Sequence, residues 1–405
     1  MTTHKTACLP TLSRRVKGSD CSIIRDLLQL VKRPEIVSFA GGLPTADGFP
    51  IQEIDQAAHW VMDNCGREAL QYSLTEGELE LRRAIAQRES LNGVPTSVDE
   101  VQIVSGSQQA LDLIARAFVD EGSKILVENP TYMGALQAFA LSSPTFADLP
   151  CDEQGLNPEE MDESLKGAAF AYVMPTFANP TGLTMSETRR QKLAEKAREL
   201  DLWLVEDDPY GELWYDNHPP KSLRAWAPER TLRLGTLSKV LSPGFRIGYI
   251  CGPREALDVI CRLKQATDLH TSTFTQRIAA KVLCDGLLTE HLPRVRHIYK
   301  SQCHAMLEAL EKYMPRHPDI SWTHPEGGMF IWMTLPEGID TSKLMIKALE
   351  NNVAFVPGAV FYTKNGRNNN LRLSFVTVPI DRIDSGIRSL SAVIAQAINE
   401  GGIPQ

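Results

Sequence analysis

The chain has 405 residues, more than a single core usually holds, which implies about two domains. Its 43% hydrophobic and 23% charged residues are the composition of an ordinary globular protein. A net charge of −8 argues against a general nucleic-acid binder, and no apolar run is long enough to cross a bilayer.

The first twenty residues, MTTHKTACLPTLSRRVKGSD, lack the apolar core of a secretory signal. The next segment, SIIRDLLQLVK (22–32), has the spacing of an amphipathic helix. From about residue 100, short β-rich runs alternate with helical ones. The strands are expected at 101–104, 124–128, 170–174, 202–206, 231–235 and 247–251, with helices at 108–118 and 186–200. In the second helix Leu193, Ala194, Ala197 and Leu200 recur at helical spacing opposite the charges. Strand–helix–strand repetition predicts an α/β domain with a mostly parallel sheet. After about residue 290 a long helix leads to GGMFIWMTL, a further helix and NVAFVPG, the pattern of a smaller α+β domain. The polar run NGRNNN (365–370) reads as a mobile loop. The expected division is an N-terminal segment, 1–45, whose helix packs on the small domain, a large domain over 46–288 and the small domain over 289–405.

Eight scattered cysteines without a CxxC pair read as free thiols in a reducing compartment, hence the cytoplasm. The nine histidines show no metal spacing; His297 and His304 read as surface residues, and no metal is expected.

Four segments carry chemistry. SGSQQAL (105–111) follows a strand and opens a helix; its small residues let backbone N–H groups approach an anion, with the helix dipole in support. A plain strand-to-helix turn accounts for this segment equally well when it is taken alone. It has neither the Gly-Lys-Ser/Thr of a Walker A loop nor GxGxxG. GTLSKVLSPGFRIGYI (235–250) sets Lys239 beyond a strand, among Thr236 and Ser238, with Arg246 seven residues on. A surface loop lysine is the commoner explanation for one such residue. Against it stands a cationic, hydroxyl-rich neighbourhood able to hold a phosphate, and a lysine that forms an imine needs activation from its free pKa of about 10.4.

LWLVEDDPYGEL (202–213) ends a buried strand in Asp207 and Asp208, at the edge where α/β sheets bind ligands. A carboxylate there can hold a pyridine nitrogen protonated. At roughly 3 Å and an effective dielectric near 20 the attraction is about 5 kcal/mol before desolvation. That is enough to move a pyridine pKa by several units at about 1.4 kcal/mol each. The other reading is an acid pair capping the next segment. Tyr210 could place its phenol near the same ligand. In PTFANPTGLTMS (175–186), Pro180 fixes a turn and keeps Asn179 extended, its amide able to donate to a phenolate oxygen.

Together these segments resemble the fold type I aminotransferases of class I/II across nearly the whole chain, most closely the α-aminoadipate/kynurenine aminotransferase branch. The resemblance rests on FAGGLPTADGFP (39–50), LQYSLTEG (70–77), SGSQQALDL (105–113), ENPTYMGALQAF (128–139), NPTG (179–182), EDDPYGEL (206–213), LSKVLSPGFRIGY (237–249), PEGGMFIWMTLP (325–336), VAFVPG (353–358) and LRLSF (371–375), in that order.

It implies the PLP-transferase fold: a large domain with a seven-stranded, mostly parallel sheet between helices, and a small α+β domain. The cofactor would be pyridoxal 5′-phosphate (PLP), held as an imine by Lys239. Asp207 would pair with the ring nitrogen, Asn179 and Tyr210 would bond the 3-oxygen, and Tyr132 would stack on the ring. Ser107, Gln108, Thr236, Ser238 and Arg246 would surround the phosphate, and Tyr72 would reach over from the other subunit of a homodimer. Arg372 would clamp the substrate α-carboxylate beside the backbone of Gly42 and the amide of Asn179. Arg25 matches the helix arginine that meets a distal carboxylate in the aminoadipate-type relatives; a solvated helix arginine explains it equally.

The expected reaction is ping-pong transamination between an L-amino acid, of 2-aminoadipate or glutamate type with aromatic or branched aliphatic ones admitted, and a 2-oxo acid such as 2-oxoglutarate. The competing enzyme reading is a PLP-dependent lyase, decarboxylase or racemase, since sequence does not fix which Cα bond stands perpendicular to the ring. A transcription regulator on this scaffold would need a helix-turn-helix domain, and only about forty residues precede FAGGLP. A nicotinamide dehydrogenase is disfavoured by the missing GxGxxG.

Overall fold

The computed structural model describes Thr11, Ser13, Arg15 and residues 33–363 and 366–401. The helix expected at 22–32, and Arg25 with it, lies outside the described residues.

After β1 (Val37–Ser38) come α1 (Ile51–Ala69) and α2 (Leu79–Leu91). The α/β alternation then follows: β2 (Val101–Val104), α3 (Ser107–Phe118), β3 (Lys124–Val127), α4 (Met133–Ala140) and β4 (Thr145–Asp148). A short hairpin, β5 (Cys151–Asp152) and β6 (Gly155–Leu156), precedes β7 (Phe170–Val173), α5 (Glu187–Glu199), β8 (Leu204–Asp207), β9 (Thr231–Thr236) and β10 (Gly248–Cys251). Three helices follow, α6 (Arg254–Asp268), α7 (Thr273–Cys284) and α8 (Leu287–Tyr313). The chain ends in β11 (Ser321–Trp322), β12 (Phe330–Thr334), α9 (Thr341–Glu350), β13 (Val353–Ala354), β14 (Val356–Pro357), β15 (Asn370–Ser374) and α10 (Ile380–Asn399).

The large sheet has seven strands in the order β2-β10-β9-β8-β7-β3-β4. Only β10 runs against its neighbours, β2 and β9, and the other pairings are parallel. Strands β2, β7, β8 and β9 are buried along their whole length, because covered parallel sheets show no polar face. In α5 the apolar stripe is buried as its spacing requires: Leu193 and Ala197 pack with Leu200, Leu202 and Leu204. Ser186 caps that helix, accepting the Arg189 N–H.

The carboxyl ends of β2, β3, β7, β8 and β9 share one edge of the sheet, because these strands run the same way. β10 starts at that edge, so Gly248 meets the turn after β2. The second sheet, β11-β12-β15-β14, is antiparallel. It is joined to the first by the segment after β1: β1 pairs with β13, the Phe39 N–H donates to the Ala354 carbonyl, and Ser374 N–H donates to the Phe39 carbonyl. Residues 40–42 thereby run to the first sheet's site edge.

One expectation needs correction. Of the loop read at 365–370, Asn370 is a buried strand residue that opens β15 opposite Thr334. Its amide donates to Thr334 and its oxygen accepts from Tyr362, so its polarity is spent inside the sheet.

Candidate active site

The turn Ser105–Ser107 links β2 to α3. Gly106 is the helix N-cap at φ +86°, ψ 160°, a conformation for glycine alone, and a Cβ there would lie 2.5 Å from an Arg246 Nη. Arg246 itself takes a left-handed conformation (φ 54°, ψ 42°) that turns its guanidinium back to donate to the Ser105 carbonyl at 3.2 Å. Across the turn the Thr236 hydroxyl lies 3.0 Å from Ser238 Oγ and accepts the Ser238 N–H. The Ser107 Oγ is buried with no partner. Gln108 points the other way and donates to the Gly134 carbonyl; the Tyr132 ring lies over Gly134, where a Cβ would sit 2.4 Å from it. An N-terminal helix turn, an unsatisfied hydroxyl, two further hydroxyls and a guanidinium are donors suited to an anion.

Lys239 follows this cradle. Its ammonium donates to the Gly42 carbonyl at 2.7 Å. Burial, with Arg372 and Arg246 nearby, lowers its pKa to about 8. Such a lysine gives up its proton more readily than a free one, which suits an imine-forming amine.

At the end of β8 the two acids divide the roles that the sequence left open. Asp208 is the capping residue, accepting the Gly211 N–H at 2.7 Å and the Arg233 guanidinium at 2.8 Å. Asp207 is only 2% exposed and has one bonded oxygen, Oδ2, which accepts the Tyr172 hydroxyl at 2.7 Å; Oδ1 is buried without a partner. Burial raises its pKa to about 7. An orphaned carboxylate oxygen suits a ligand N–H.

Arg372 lies on β15, 3% exposed, with no ion pair among the described residues. It donates to Asn179 Oδ1 at 2.9 Å and to the Ala40 carbonyl at 2.8 Å, and stands over the Phe330 and Phe361 rings at 4.2 and 5.1 Å. Burial lowers its pKa to about 10, so it stays charged. A buried guanidinium without an acid awaits an anion. Tyr210 is buried edge-on to Phe330, and its phenol is hydrogen-bonded to Asn179 and feels the charges of Arg372 and Asp207.

The structure thus brings Gly42, Ser107, Gln108, Tyr132, Asn179, Asp207, Tyr210, Thr236, Ser238, Lys239, Arg246 and Arg372 to one place. Tyr72 is apart from them, 77% exposed and edge-on to His270 at 5.7 Å. His297 and His304 are both exposed, and no metal-ligating cluster occurs among the described residues. Sequence reasoning missed Tyr172, Phe330 and Phe361. Tyr172 lies inside a continuous apolar run whose two faces look alike in sequence.

Phosphate cradle, softened lysine and unpaired strand-end carboxylate define a fold type I PLP site, and the residues present fit that cofactor. The chain belongs to the aminotransferase class I and II family, whose model matches residues 36–390. It is 43% identical to the aromatic-amino-acid aminotransferase 1 of Thermococcus litoralis, over 96% of this chain and 95% of that protein. It is 42% identical to the 2-aminoadipate transaminase of Thermus thermophilus, over 92% and 94%. The crystal structure of LysN, the α-aminoadipate aminotransferase of Thermus thermophilus complexed with N-(5′-phosphopyridoxyl)-L-leucine, superposes with a TM-score of 0.88 at 39% identity, covering 96% of this chain and 98% of that one. This protein is a PLP-dependent aminotransferase; relatives at this identity transaminate, and the lyase, decarboxylase and racemase alternative is not favoured. No helix among the described residues is long and apolar enough to cross a membrane.

Proposed function

We propose that the enzyme moves the amino group of 2-aminoadipate or glutamate, and of aromatic and aliphatic amino acids, to 2-oxo acids such as 2-oxoglutarate, with Lys239 as covalent tether and proton carrier. The observation that supports this most is Arg372, a buried cation without an acid, set beside Asn179 and within electrostatic reach of Lys239. Arg372 would receive the α-carboxylate as a fork, its plane fixed by Phe330 and Phe361. The cofactor, when bound, supplies an electron sink for the bond-breaking step. Asp207 would face its ring nitrogen, Asn179 and Tyr210 its 3-oxygen, Tyr132 its face, and Ser107, Gln108, Thr236, Ser238 and Arg246 its phosphate. Lys239, once freed by substrate, would be the general base that takes the α-proton and holds it for return.

Breadth of substrate is supported by the aromatic-amino-acid and 2-aminoadipate enzymes named among the relatives and by the leucine adduct of the solved one. Arg25 would select the distal carboxylate. The exposed Tyr72 would complete the phosphate site of the partner subunit in a homodimer. Scattered cysteines, six of them free among the described residues, support a cytoplasmic setting.

A donor panel with 2-oxoglutarate tests the reading. Lys239→Ala should abolish both turnover and the cofactor's imine absorbance band, and Arg25→Ala should raise KM for glutamate and 2-aminoadipate but not for leucine. Ordinary turnover by Lys239→Ala would sink the assignment; equal effects on glutamate and leucine would remove Arg25 from specificity.

A further inference from the structure

Tyr172 has no exposure and sits in the middle of β7, a strand otherwise filled by Phe170, Ala171 and Val173. Its ring packs edge-on against Phe139 at 5.4 Å, which an apolar residue could also do. The hydroxyl is what needs explaining, since a buried O–H without a partner is costly. In the sheet register Tyr172 lies opposite Val205, and Asp207, two residues further along β8, is on the same face. The phenol reaches diagonally across the two strands and donates to Asp207 Oδ2.

No basic residue pairs with Asp207 among the described residues. Asp208, next in the chain, disfavours its charge, and Tyr132 and Tyr210 lie close enough to feel it; Glu128, just after β3, acts on the Tyr172 phenol through its charge. Among the described residues the Tyr172 hydroxyl is therefore the one neighbour that favours the ionised carboxylate.

We propose that Tyr172 is a positioning residue of this enzyme: by bonding Oδ2 it fixes the Asp207 carboxylate and keeps it anionic, leaving Oδ1 to meet the ring nitrogen of the cofactor as a full charge. This rests on the reading of Asp207 given above. A merely structural Tyr172 would fill the core and leave the ring nitrogen's protonation untouched.

The test uses the full chain freed of cofactor and loaded with 4′-deoxypyridoxine 5′-phosphate carrying nitrogen-15 in its ring. This analogue has no aldehyde, so Lys239 cannot capture it. In the wild type the ring resonance should lie in the protonated range. Tyr172→Phe should move it toward the neutral range and weaken binding about tenfold or more, the size expected of a hydrogen bond to a charged group. Asp207→Asn should move it fully, and adding Tyr172→Phe to Asp207→Asn should change nothing more. An unmoved resonance in Tyr172→Phe, or an equal loss of affinity in the Asp207→Asn background, would overturn the proposal. If instead Asp207→Asn leaves affinity and resonance as in the wild type, the assignment of Asp207 itself fails, and this inference with it. Should Tyr172→Phe not fold, Tyr172→4-aminophenylalanine keeps the shape with a weaker donor; its resonance should shift part-way, and no shift would overturn the idea.

Discussion

Lys239 shows how a site sets the chemistry of one side chain, and what that costs the empty protein. Its pKa falls from 10.5 to about 8 because the charged form is partly buried and faces Arg372 and Arg246. The folded state therefore binds its proton less tightly than the unfolded state. Between about pH 8 and 10.5 the unfolded chain holds more protons, so stability rises with pH through that window and the penalty is fully present below it. A shift of this size is worth about 3 kcal/mol at most. Cofactor-free Lys239→Met should then be more stable than the wild type by ~1–3 kcal/mol at about pH 7, with the gap closing towards about pH 10. Urea unfolding at the two pH values measures this. A variant less stable at neutral pH would mean that Lys239 is held comfortably as an ammonium, against the role given to it.

At the scale of elements, the proposed phosphate cradle depends on backbone shape more than on side chains. Gly106 combines a glycine-only conformation with contact to Arg246, whereas Gly122, at φ +85°, has nothing within 4 Å of an added Cβ. Gly106→Ala and Gly122→Ala should both lower stability, by about 1–3 kcal/mol for the strained backbone. Only Gly106→Ala should also weaken PLP binding, about tenfold or more, because Arg246 and the α3 N-terminus must separate. Equal affinities by fluorescence titration would show that the turn does not hold the phosphate. This contrast marks what the sequence could convey. Glycine and hydroxyl residues between a strand and a helix announced a tight turn, and the buried Leu193–Ala197–Leu200 stripe announced α5, because both are local patterns. The Tyr172–Asp207 bond and the Phe330–Arg372–Phe361 stack were not legible: each joins separate segments of the chain, and a strand buried on both faces carries no alternation to show which residues point where. Asp207 and Asp208 could be told apart only once Arg233 and the Gly211 N–H were seen to occupy the second.

For the whole molecule, the proposed homodimer turns on the face that carries Tyr72. Leu70, Leu74, Leu79 and Leu269 are exposed with it. The 70–74 loop and the segment after Leu269 are neighbours in space: Tyr72 touches His270, and the Thr273 hydroxyl donates to the Gln71 carbonyl, which ties the loop to the start of α7. In the proposed homodimer each leucine covered here would contribute up to about 1.5–3 kcal/mol. A homodimer using this face would also bring Tyr72 of the partner subunit to the phosphate cradle, joining cofactor affinity to assembly. Leu74→Glu should therefore yield monomers in sedimentation and lower PLP affinity together. Tyr72→Phe should leave the dimer intact and lower affinity alone, since it removes only a hydroxyl. If Leu74→Glu stays dimeric with unchanged affinity, this face is not the interface. If it becomes monomeric yet binds PLP as tightly as the wild type, each chain completes its own site, and Tyr72 has no part in holding the cofactor.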